Sequence, residues 1–98
     1  MQLNGSQKKY LRGLAHNLQP VVMVGKNGVT DDLIVAVTQA LNSQELIKIK
    51  FIDYKEKKKE LSNHIEQHSG AELIGIIGNI SILYRQHPDT NKRKISLP

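Results

Sequence analysis

The sequence predicts an α/β domain, and three observations carry that expectation. Apolar residues recur at helical spacing over residues 6–18, 31–42 and 55–68. Short β-rich runs occupy 21–24, 45–52, 72–77 and 80–85. The resulting order, a helix followed by βαβαββ, requires right-handed parallel crossovers, and its final hairpin adds an antiparallel strand. A mixed four-stranded sheet packed with three helices, in two or three layers, is expected. At 98 residues the chain is one domain, 1–98, with 86–98 as a polar tail that Ile95 and Leu97 could pin.

The first helix is expected over Ser6–Leu18, capped by Asn4 or Ser6, with Pro20 just past its end. Tyr10, Leu11, Leu14, Ala15 and Leu18 share one face at roughly 100° per residue. Lys8, Arg12 and His16 form an i, i+4 stripe beside that face, with Lys9 close by. Taken alone, such a stripe is a solvated helix face. Here it lies in the acid-free stretch from Met1 to Thr30 and leads directly into the next strand.

That strand, Val21-Val-Met-Val24, is a continuous apolar run, as expected of a strand covered on both faces. Gly25 and Gly28 follow, bracketing Lys26 and Asn27, so the turn can take positive φ and leave room for a close neighbour. Thr30 offers an N-cap hydroxyl, and Asp31 and Asp32 put negative charge where the helix dipole favours it. A Gly-x-x-Gly turn is commonly plain turn chemistry. With a lysine inside it, it also suits contact with a sugar-phosphate backbone, as in KH-type RNA-binding loops.

The second helix, about 31–42, buries Leu33, Ile34, Val37, Ala40 and Leu41. In the strand 45–52, Ile47, Ile49 and Phe51 alternate with Lys48 and Lys50, so one face is buried and the lysines reach the other. The third helix, about 55–68, presents Leu61 and Ile65 and stops at Gly70. Gly78-Asn79 is a two-residue hairpin signal between the last strands, and Gly75 implies a bulge or close packing.

Net charge of +5 and a pI near 9.6 favour an anionic partner. Only Tyr10, Phe51, Tyr54 and Tyr84 are aromatic, which argues against a platform that stacks bases on rings. No apolar run approaches a membrane span, no signal-peptide core is present, and no cysteine is available for disulfides or thiolate zinc sites. A cytoplasmic location without membrane association is therefore expected.

Catalytic motifs fail on inspection. Gly25-Lys26 is followed by Asn27 and preceded five positions earlier by Pro20, so it is no Walker A loop, and no third glycine completes a dinucleotide fingerprint. His64 and His68 share a helix face, but the intervening Ile-Glu-Gln puts the glutamate in the wrong place for a zincin. No enzyme activity, metal, cofactor or small-molecule substrate is expected.

The runs Tyr10-Leu-Arg-Gly-Leu-Ala-His16, Pro20-Val-Val-Met-Val-Gly-Lys-Asn-Gly-Val-Thr30, Glu45-Leu-Ile-Lys-Ile-Lys50 and Ile82-Leu-Tyr-Arg85 occur in that order. In this combination they resemble the CRM domain (chloroplast RNA splicing and ribosome maturation). The stand-alone bacterial YhbY-like members are most similar, down to Arg93-Lys-Ile-Ser-Leu-Pro98. The resemblance implies a fold similar to the C-terminal domain of translation initiation factor three, with strand order 1-2-4-3 and the last strand antiparallel. It implies a non-enzymatic RNA-binding protein acting on ribosomal RNA of large-subunit precursors; a monomer is expected. The RNA site would comprise Gly25, Lys26, Asn27 and Gly28 with Lys8, Lys9, Arg12 and His16 of the first helix. The alternative is a protein-interaction module whose basic face meets an acidic partner.

Overall fold

The computed structural model describes residues 2–98. The element order is α1 (Gly5–Ala15), β1 (Val22–Val24), α2 (Asp31–Gln44), β2 (Leu46–Phe51), α3 (Lys58–Ser69), β3 (Glu72–Ile77) and β4 (Ile80–Tyr84). One 3₁₀ turn, Lys55–Lys57, leads into α3, and another, Thr90–Lys92, lies in the tail. The strands form a single sheet of order β1-β2-β4-β3. β1 and β2 are parallel, while β4 runs antiparallel to both β2 and β3. Both class and strand order match the expectation.

The sheet divides two cores, giving three layers. On one face α2 and α3 cover Val22, Val24, Ile47, Ile49, Phe51 and Leu83, with Val37, Leu41 and Ile65 as the helical contribution. On the other face α1 and the tail cover Leu46, Ile74, Ile82 and Tyr84 through Leu11, Ala15, Leu18, Ile95 and Leu97. The alternation along β2 thus feeds Ile47, Ile49 and Phe51 to one core and sends Lys48 and Lys50 the other way.

Local signals explain most boundaries. Asn4 Oδ1 accepts from Gln7 N–H at 2.8 Å while the Gln7 side chain accepts from Asn4 N–H, a reciprocal capping box. Thr30 Oγ1 accepts from Leu33 N–H at 3.1 Å. Gly70, with φ of 73°, ends α3 in the left-handed conformation. α1 ends at Ala15 rather than Leu18, because the chain tightens into i→i+3 bonds from His16 N–H to Gly13 and from Leu18 N–H to Ala15.

The expectation for Val21–Val24 is corrected. Val22 and Val24 are buried, but Val21 and Met23 are 42% and 55% exposed. β1 is an edge strand, and α1 packs chiefly on β2, β4 and β3, which leaves the second face of β1 largely exposed at Met23. An apolar run of this length records that one face needs covering, not that both receive it.

The candidate nucleic-acid interface

The Gly25–Gly28 turn hangs from the C-terminal end of β1. Gly28 N–H donates to the Gly25 carbonyl at 3.0 Å, closing it, and Lys26 and Asn27 project into solvent. Only Gly28 has positive φ, at 70°. Gly25 does not, which corrects half of the expectation for this pair. A Cβ on Gly25 would meet nothing among the described residues within 4 Å, so they leave the space over that residue open.

The turn is braced from the segment after β2. Ile52 and Asp53 N–H both donate to the Val24 carbonyl, at 3.0 and 3.1 Å. The Tyr54 hydroxyl donates to the Lys26 carbonyl at 2.8 Å, and its ring lies 3.5 Å from where a Gly28 Cβ would stand. Tyr54 itself sits in the left-handed region, φ 57°, which a non-glycine residue adopts only where its surroundings hold it there.

The α1 stripe has a definite direction. Arg12 reaches over β3, where its Nη1 donates to the Ile74 carbonyl at 3.4 Å. Its Cδ lies 3.4 Å from a Cβ built on Gly75, and the β3–β4 register slips between Leu73 and Gly75. Gly75 therefore makes room for the arginine. The backbone carbonyls of His16 and Leu18 accept from Lys48 Nζ at 3.4 and 3.0 Å, so a β2 lysine fastens the end of α1. Arg12, His16 and Lys48 line one shallow cleft with Ile77, Ile80 and Ile82.

Of the predicted residues, the structure brings Arg12 and His16 together at that cleft. Lys26 and Asn27 stand at the end of β1, past the last residues of the sheet's edge. Lys8 is half-buried, with Nζ 3.7 Å from a Glu72 oxygen, the one ion pair among the described residues. Lys9 is exposed on the side of α1 that carries Ser6 and Gly13. Sequence reasoning recognised the alternation of Lys48 and Lys50 but left both out of the site. It also missed Tyr54, whose role depends on where the chain returns after β2 and has no local signal.

Asp31 and Asp32 occupy the first turn of α2. A phosphate on that helix axis would meet two carboxylates, so the turn's open side and α1 are the better approach. Among the described residues no three His, Cys, Asp or Glu side chains gather as metal ligands, and no helix is long and apolar enough to cross a membrane.

Residues 3–85 match the family model of the CRS1 / YhbY (CRM) domain. The chain belongs to the CRM domain family. Similar proteins agree over nearly full length. A Haemophilus influenzae protein named "RNA-binding protein" is 41% identical over 97 residues, covering 98% of this chain and 95% of its own. The Bacillus subtilis "Probable RNA-binding protein YqeI" is 36% identical over 97 residues, covering 98% and 99%. The solution structure of SAV1595 from Staphylococcus aureus superposes with a TM-score of 0.81 at 34% identity, covering 99% of this chain and all of that one. At that likeness the two chains share one fold.

Proposed function

We propose that this CRM domain binds RNA, holding the sugar-phosphate backbone between the Gly25–Gly28 turn and the Arg12–His16 flank of α1. The observation that carries the reading is the turn itself. It is closed and braced, with Lys26 exposed and open space over Gly25. A polyanion can approach such a turn closely, and the excess of +5 draws it in. Family membership and the names of its relatives support the same conclusion. The RNA is ribosomal, from large-subunit precursors, and the protein acts by binding rather than by catalysis.

RNA affinity measured against salt for Lys26→Ala, Arg12→Ala and Gly28→Val tests the site. Each lost cation should weaken binding to all sequences alike and lower the salt slope by roughly one. Gly28→Val should weaken binding at unchanged slope, because it strains a φ of 70° without removing charge. Three folded variants that bind like the parent at every salt concentration would rule this surface out. Crosslinking in cells with sequencing of the attached RNA tests the ribosomal assignment, which fails if large-subunit precursor sequences are not enriched.

A further inference from the structure

The α1 layer covers only part of its face of the sheet, and what it leaves bare has a pattern. The registers Met23↔Lys50, Lys50↔Ile80 and Ile77↔Ile80 set Met23, Lys50, Ile80 and Ile77 in one row across all four strands. Met23 is 55% and Ile77 62% exposed; Lys50 is exposed and Ile80 partly so. Val21 lies beside Lys48, to whose carbonyl it donates at 3.0 Å, and Ile52 follows Lys50 by alternation just beyond β2. Val21, Met23, Ile52 and Ile77 are four of the eight large apolar side chains exposed among the described residues. Their concentration on one face makes a patch rather than the ordinary scatter of surface apolar groups.

Basic side chains flank the patch. Lys50 rises from its middle, Arg12, His16 and Lys48 share a cleft with Ile77 and Ile80 along one border, and the Gly25–Gly28 turn follows β1 at another. Lys50 has no carboxylate partner among the described residues. At about 4.8 Å per strand spacing, the row spans roughly 15 Å.

We infer that this strip receives unpaired nucleobases, so that the domain selects single-stranded over duplex RNA. The inference rests on the RNA reading and deepens it. A duplex turns phosphates and 2′-hydroxyls outward and keeps its base faces stacked inside, so methyl and thioether groups facing it would gain nothing. An unpaired strand offers both parts. Its base faces lie on Met23, Ile77 and Ile80, and its phosphates meet Lys50, Arg12 and the turn. Aliphatic groups here do the work that rings do in aromatic platforms, which this chain is too poor in aromatic residues to build. An acidic protein would satisfy the cations yet leave the apolar row uncovered unless it were also apolar at matching positions.

The test compares three probes on the full chain: a single-stranded RNA oligonucleotide, an abasic strand with the same phosphates, and the strand annealed into a duplex. The parent should bind the intact strand at least about fivefold more tightly than the abasic one, the lower end of what a stacked base contributes on a ring. Met23→Ser with Ile77→Ser should erase that preference while leaving abasic binding and the salt slope as in the parent. Lys50→Ala should lower the slope by about one and keep the preference. Equal binding of intact and abasic strands by the parent overturns the inference without needing any variant and leaves the RNA reading standing. Failure to bind all three probes overturns both. Sedimentation of the same proteins covers the remaining occupant: if the serine pair turns a dimer into a monomer with RNA affinity unchanged, the strip is a contact between copies.

Discussion

Two neighbouring residues show how buried polar groups are handled in this chain. Glu45, 1% exposed and with φ of 64°, ends α2, and its carboxylate accepts three backbone N–H groups from the tail. Oε2 takes His87 at 2.7 Å, while Oε1 takes Lys94 at 2.7 Å and Ile95 at 3.1 Å. A fully engaged acceptor of this kind fixes the tail's course. Tyr84 is the opposite case. It is 2% exposed, and its hydroxyl has no hydrogen-bond partner among the described residues. Burial, and secondarily the Glu45 charge, push its ionisation above the ordinary 10.0, with Arg93 acting the other way. The folded state thus holds the phenolic proton more tightly than the unfolded state. The associated stability is complete below pH 10.0 and is lost as pH rises toward the folded-state value. Tyr84→Phe should therefore match or exceed the parent at neutral pH, by up to about 1 kcal/mol, since no hydrogen bond is given up. It should also lose less stability in alkali. Urea unfolding of both proteins on each side of pH 10 checks this, and parallel losses would contradict it. Neither residue's role was legible in the sequence, where Glu45 stands as an ordinary strand-start residue and Tyr84 as one β-former among several.

At the scale of elements, legibility follows the range of the forces involved. The caps at Asn4 and Thr30, the Gly70 stop and the Gly78-Asn79 hairpin depend on residues within three or four positions, and all were readable. Asn4→Ala should cost about 1 kcal/mol, because it removes one arm of the capping box of α1. Chemical denaturation measures it, and an unchanged midpoint would mean that packing of Leu11 and Ala15 alone fixes the helix start. Long-range dependencies were not readable. The Ser62 and Ser81 hydroxyls form a buried 2.5 Å pair joining α3 to β4, though nothing in either local sequence marks them. The seat of Arg12 over Gly75 likewise joins positions far apart, and only the glycine left a trace, as an expected irregularity in a strand.

For the whole molecule, alternation along a strand tells which residues share a face but not how much of that face a helix will cover. The pattern gave a mixed four-stranded sheet, the family resemblance supplied its strand order, and neither pointed to the bare strip beside β1. The same limit explains why Lys50 escaped a site assembled from contiguous motifs. The second core has a different consequence, because its parts come from opposite extremities of the sequence: Leu3, Leu11 and Ala15 against a sheet also covered by Ile95 and Leu97. Gln7 donates to the Pro98 carbonyl at 3.2 Å, across 91 positions. The first core draws on residues 22–83 and closes shorter loops. Assembly that starts with the less costly closures would build the α2–α3 side first and dock α1 with the tail last. Native-state hydrogen exchange should then find α1 amides opening at a lower free energy than those of β2 and β4, as a separate cooperative unit. Equal opening energies throughout would show instead that the layers exchange only by global unfolding. The layer carrying Arg12 and His16 would be the one most able to detach while the rest of the fold persists.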